Sequence, residues 1–287
     1  TSTGNRHEGN GTPGTNVTLL IRSHSSDVTG ANPLRNLRVW TPGNEPGTAT
    51  DTEPSEFHPQ YIARLLELKP NTLRFINWSA CLSVGGTESA QWYPNWAIRK
   101  LTTDVRQTYG RDRKQTGVSI DHCISLCNRI GANFWWCLPH RQAQTGTGVL
   151  TDALYQSYVT SLATHVKANL ATALIFYCEN SNEAWNNQPG FPVIPWLDAN
   201  RGALSRNAFW GAEMKKAFDY VTAVYSTELS RVRRIVIGAR ADSKFLYDPA
   251  AGTQGNLEFM DISRVDGVGF AAYFNVSPCH YRIVSLK

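Results

Sequence analysis

A short apolar run, residues 173–178 (ALIFYC), whose β-branched and aromatic content reads as a buried parallel strand, ends in a polar cluster that contains Asn182 and Glu183. A glutamate at the exit of such a strand, flanked by Trp185 and Tyr177, would be partly desolvated. Desolvation disfavours the charged form of a carboxyl, so Glu183 is a candidate general acid able to carry a proton near neutral pH. Three further residues occupy comparable places. Arg74 lies in TLRFINW, His140 closes WCLPH, and Tyr273 lies in FAAYF. An arginine fork accepts a carboxylate through two parallel N–H bonds, so Arg74 can hold and orient an acidic partner.

These residues need a scaffold of alternating strands and helices, and the sequence supplies one. NLRVW at 36–40 reads as a first strand, PQYIARLLEL at 59–68 as a helix, and TLRFINW at 72–78 as a second strand. Residues 118–130 carry apolar side chains at helical spacing before a third strand, NFWWCLP at 133–139. Leu150, Leu154, Tyr158, Leu162, Val166 and Leu170 recur every fourth residue behind a Thr151 or Asp152 cap, which places a long helix before the strand that leads to Glu183. A helix over 206–229 presents Phe209, Ala212, Ala217, Phe218, Val221, Val224 and Tyr225, and RRIVIGA and DGVGFAAYF supply strands five and six. Such alternation implies parallel pairing by right-handed crossovers. The first strand runs into Thr41, Pro42 and Gly43 instead of a glycine-rich phosphate loop, which favours an α/β fold of the (β/α)8 TIM-barrel type over a dinucleotide-binding sheet. Residues 1–30 form a short β-like N-terminal extension, read as the remnant of an upstream β domain, and 31–287 the barrel.

The chain has 287 residues, 41% hydrophobic and 18% charged, enough to bury a large core. Its net charge of +5 is scattered, and the one dense basic cluster, Arg111, Arg113 and Lys114, reads as a solvated loop, so no nucleic-acid partner is expected. No apolar run reaches the roughly 20 residues of a membrane span. Sequons begin at Asn10, Asn16, Asn77 and Asn275, which suits a secreted glycoprotein. Six cysteines lack zinc-type spacing, and Cys137 and Cys178 read as buried free thiols. No metal or other cofactor is expected.

The context S-N-E-A-W-N around Asn182 and Glu183 resembles the clan A glycoside hydrolases, whose fourth barrel strand ends in an Asn-Glu pair carrying the acid/base. Arg74, His140 and Tyr273 stand where that clan places a strand-two arginine, a histidine after strand three and a strand-six tyrosine. The resemblance covers roughly residues 35 to 275 and implies hydrolysis of a β-linked polysaccharide or oligosaccharide with retention. In that scheme Glu183 is the acid/base, Asn182 bonds the sugar 2-hydroxyl, Arg74 and Tyr273 hold the partner carboxylate, and His140, Trp185 and Trp78 line the cleft. Trp92 and Trp96 would form a wall or lid, whereas Trp135, Trp136 and Trp210 are packing residues.

The chain departs from the clan at the nucleophile, a glutamate that ends strand seven, because only residues 274–287 follow the sixth strand. The expectation is a barrel truncated at roughly six strand–helix units, without its nucleophile. Asp242 and Glu179 are the nearest substitutes, and neither matches the clan position. Three readings stay open: a retaining glycoside hydrolase, a non-catalytic carbohydrate-binding or extracellular structural protein, and a metal-dependent barrel hydrolase. The last ranks lowest because His122, His140 and His165 do not share a strand exit.

Overall fold

Capped helix ends and tight turns carry each helix into its strand. A computed structural model describes residues 56–76, 78–79, 81, 96–104, 107, 117–139, 151–182, 193–238 and 262–270. The first of these elements, α1 (Pro59–Leu68), starts on a proline whose fixed φ suits the first turn. It ends at Lys69 in the left-handed conformation and leads to β1 (Thr72–Arg74). Helix α2 (Ile120–Ile130) is capped by Ser119 and stopped by Gly131 at φ 71°, a value that glycine adopts freely. Strand β2 (Asn133–Leu138) follows two residues later. Thr151 caps α3 (Asp152–Asn169), which precedes β3 (Phe176–Asn180), and Ser205 caps α5 (Arg206–Val224), which precedes β4 (Val232–Gly238). Helix α4 (Val193–Asn200) lies between β3 and α5, and β5 (Gly267–Phe270) is the last of the described elements.

The strands form one parallel sheet in the order β1-β2-β3-β4-β5, curled as half of a barrel and accompanied by helices. This is an α/β architecture with strand order equal to chain order. Asn133 ties the entry edge together. Its Oδ1 accepts from the Ile175 backbone N–H at 2.9 Å while its Nδ2 donates to Asn71 Oδ1 at 3.1 Å.

Register divides the sheet into two chemically different faces. Trp136 pairs with Cys178 and Cys178 with Arg234, so Phe134, Trp136, Leu138, Phe176, Cys178, Val232 and Val236 share one side. These side chains join the core with Cys123, Ile124 and Cys127 of α2, Tyr158, Val159, Leu162 and Val166 of α3, and Trp210, Met214, Phe218 and Val221 of α5. Phe134 sits centrally, with ring centroids 5.5–5.8 Å from Phe75, Trp136 and Phe176. Arg234 also points to the helix side, where Asp266 takes its fork at 2.7 and 2.9 Å and Thr222 of α5 accepts a third bond at 3.0 Å.

Several expectations shift. The second strand stops at Arg74, because the chain turns at Ile76. The strand before Asn182 begins at Phe176 and runs to Asn180, so Ala173–Ile175 belong to the preceding turn and Glu179 becomes a strand residue. In α3 a strict four-residue repeat drifts around a helix of 3.6 residues per turn. Leu154 is therefore 56% exposed, and Tyr155 and Val159 take the inner positions. Helix α5 ends at Val224, short of residue 229. Trp96 is no cleft wall. Its ring packs edge-on to Tyr158 and 5.2 Å from His165, both on α3. The expected strand at 36–40, the N-terminal extension, the sequons and the end of the sixth strand lie outside the described residues.

Candidate functional site

The sheet face opposite the α2–α3–α5 core carries the polar chemistry. Arg74 pairs with Trp135, Trp135 with Tyr177, and Cys137 with Glu179, which places all five on that face. Glu179 has no exposed side-chain surface. A carboxylate so enclosed costs several kcal/mol unless donors replace its water, and here donors surround it. Arg74 Nε donates to Oε2 at 2.8 Å and Arg74 Nη2 to Oε1 at 2.7 Å. Trp135 Nε1 donates to Oε2 at 2.8 Å, and the Cys137 thiol to the same oxygen at 3.2 Å.

Arg74 links this anchor to the strand exit. Its Nη2 also donates to Asn182 Oδ1 at 2.9 Å, and Asn182 is itself buried. Burial alone would lower the pKa of Arg74, but the Glu179 hydrogen bonds and nearby charge outweigh it, so the guanidinium is held more firmly protonated than usual. Burial pushes the Cys137 thiol well above the ordinary range, which keeps it an S–H donor. Trp135 stacks on Tyr177 with centroids 5.6 Å apart and planes at 19°, and the Arg74 guanidinium carbon lies 5.5 Å from the Trp135 ring. Trp135 is thus a partner of the buried carboxylate, not the packing residue its apolar context suggested.

The structure therefore brings together Arg74 and Asn182 of the anticipated set, on a carboxylate that sequence reasoning had weighed only as a substitute nucleophile. Trp78 lies apart from this network. It follows β1 with its ring 5.6 Å from Phe75 and packs against the core. Glu183, His140, Trp185 and Tyr273 lie outside the described residues, as does Asp242. Glu179 could have been found from parity, since it shares a face with Tyr177 two residues earlier, once the strand is known to continue past Cys178.

Of the described histidines, His58 caps α1 and the other two pair with carboxylates. His165 Nε2 lies 2.5 Å from Asp121 Oδ1 across α3 and α2, and His122 meets Glu56. Among the described residues no group of three or more His, Cys, Asp or Glu side chains could hold a metal. No helix among them is long and apolar enough to cross a membrane. Cys81, Cys123, Cys127, Cys137 and Cys178 are free and buried.

Neither a protein-family model nor a curated protein matches the chain. One solved structure similar to it is an α-L-arabinofuranosidase from Thermotoga maritima in complex with arabinose, at 14% identity and a TM-score of 0.34. The similarity covers 64% of this chain and 34% of that one, so the chain spans about a third of the neighbour's length. A likeness of this size does not fix a shared reaction.

Proposed function

We propose that the chain is a glycoside-hydrolase-like protein of clan A type, built on a (β/α)8-type barrel and acting on β-linked polysaccharides or oligosaccharides. The observation that carries the reading is a parallel strand, β3, followed two residues on by a buried asparagine, Asn182, gripped by Arg74 of β1 immediately before Glu183. In this reading Glu183 protonates the glycosidic oxygen as the bond to the anomeric carbon breaks, and a second carboxylate about 5 Å away, which is not identified in this chain, attacks that carbon from the opposite side. Water then releases the sugar with Glu183 as base. Asn182 bonds the 2-hydroxyl, Tyr273 and His140 contribute polar contacts, and Trp185 covers an apolar sugar face. Glu179 cannot be the attacking group, because its oxygens are occupied and enclosed.

That occupancy also favours a second reading, a non-catalytic carbohydrate-binding or extracellular structural protein using the same cleft. Titration calorimetry of the chain and of Glu183→Gln against β-glucans, xylans, mannans and galactans, with reducing ends assayed in parallel, separates the two. Release that falls at least about a hundredfold in the variant while binding persists supports hydrolysis. Binding without release supports the second reading, and no binding to any glycan overturns both. Secretion belongs to the same proposal, and a glycosidase-sensitive mass shift on protein from a eukaryotic secretory host would support it.

A further inference from the structure

We propose that Glu179 is a positioning residue that acts through Arg74 to present the Asn182 side-chain amide to a ligand as a hydrogen-bond donor only. The identity of the ligand rests on the carbohydrate reading above; the positioning itself does not.

Guanidinium has five donors and no acceptor, so the Asn182 atom 2.9 Å from Arg74 Nη2 must be the oxygen. The amide orientation is thereby fixed by chemistry, and Nδ2 is left pointing away from Arg74. No acceptor among the described residues takes its protons. Arg74 can impose this orientation only if its own plane is locked, and Glu179 locks it through both Nε and Nη2. Trp135 and Cys137 in turn fix the carboxylate, leaving it no rotation that preserves its bonds. The chain of cause therefore runs from two alternate, same-face positions of β2, through Glu179 of β3 and Arg74 of β1, to Asn182. A ligand group meeting Asn182 must then accept a hydrogen bond, as a sugar hydroxyl oxygen does, and a group able only to donate is refused.

The test uses the full 287-residue chain, labelled with nitrogen-15, with the Asn182 side-chain NH2 and Arg74 guanidinium signals assigned from Asn182→Asp and Arg74→Lys. In the unsubstituted protein the Arg74 Nη signals should be resolved and slow to average. Glu179→Gln, which turns an acceptor into a donor facing Arg74, should collapse them and shift the Asn182 NH2 pair. Cys137→Ser keeps a donor to Glu179 and should leave both unchanged. An Asn182 pair that stays in place in Glu179→Gln overturns the proposal. If that variant does not fold, Trp135→Phe removes one donor and spares the fork. A partial shift of the Asn182 pair then supports the proposal, and an unmoved pair overturns it.

Calorimetry with the glycan panel supplies the second readout. Glu179→Gln and Asn182→Ala should each weaken binding about tenfold, the worth of one hydrogen bond. The double variant should bind no more weakly than Asn182→Ala alone, because both act on one contact. Additive losses overturn the proposal. If no glycan binds while the Arg74 and Asn182 signals respond as described, the carbohydrate reading fails and the positioning role stands.

Discussion

Arg74 and Glu179 illustrate how a single ion pair can be structural at one end and directive at the other. The Arg74 side chain is 32% exposed while that of Glu179 is fully enclosed, so the two ends of the bond face different solvents. Arg74→Leu leaves a buried carboxylate without its fork and should cost about 3–5 kcal/mol in urea unfolding. Arg74→Lys should recover only part of this, because an ammonium is a point charge without the two-pronged geometry. The Asp266–Arg234 pair tests the same physics behind the sheet. Burial by itself would raise the Asp266 pKa, but the side-chain and backbone hydrogen bonds from Arg234 outweigh it and hold the carboxyl below its usual range. Its contribution is therefore complete above the ordinary carboxylate pKa of about 4 and is lost as pH falls through the lower folded value. Asp266→Asn should be destabilised by about 2 kcal/mol at pH 7, discounted for partial exposure. Unfolding curves of the two proteins should converge as the medium is acidified below about pH 4.

At the scale of elements, the helices are set by their first residues. Ser205 Oγ accepts from Ala208 N at 3.1 Å, and Ser205→Ala should cost about 1 kcal/mol of stability by chemical denaturation. This part of the molecule was legible in the sequence. Apolar patterning located α1, α2, α3 and the start of α5, a Thr151 or Asp152 cap marked the start of α3, and four apolar runs located β2 to β5. What escaped was anything decided across strands. Whether Glu179 sits in β3 or beyond it changes it from a loop acid into a buried anchor, and only pairing with Cys137 settles that. Trp135 reads as core from its neighbours Phe134 and Trp136, yet alternation turns its ring to the other face, where the indole N–H finds a carboxylate. Arg74 was legible as a carboxylate holder from residue type, but which carboxylate it holds is fixed by parallel register.

For the whole molecule, the helix-covered face of the sheet shelters three thiols, Cys123, Cys127 and Cys178. Burial raises the Cys127 thiol to about 12, and pushes Cys123 and Cys178 up as well. Alkylation by iodoacetamide needs the thiolate and access to it. At pH 7.5 these three residues should therefore remain unlabelled in the native protein, as read by peptide mass mapping, and react fully in urea. Labelling of any of them under native conditions would mean that the core opens locally.

Strand order that equals chain order also bears on how the protein is made. Each pairing joins segments roughly 30 to 60 residues apart, so it waits for the connection between its two strands and for nothing further along. On a ribosome, β2 can dock on β1 as soon as α2 has emerged, and every later strand meets a finished edge. The residues of the network around Glu179 are synthesised in the order in which they line it: Arg74 first, the Trp135 and Cys137 donors second, and the carboxylate last.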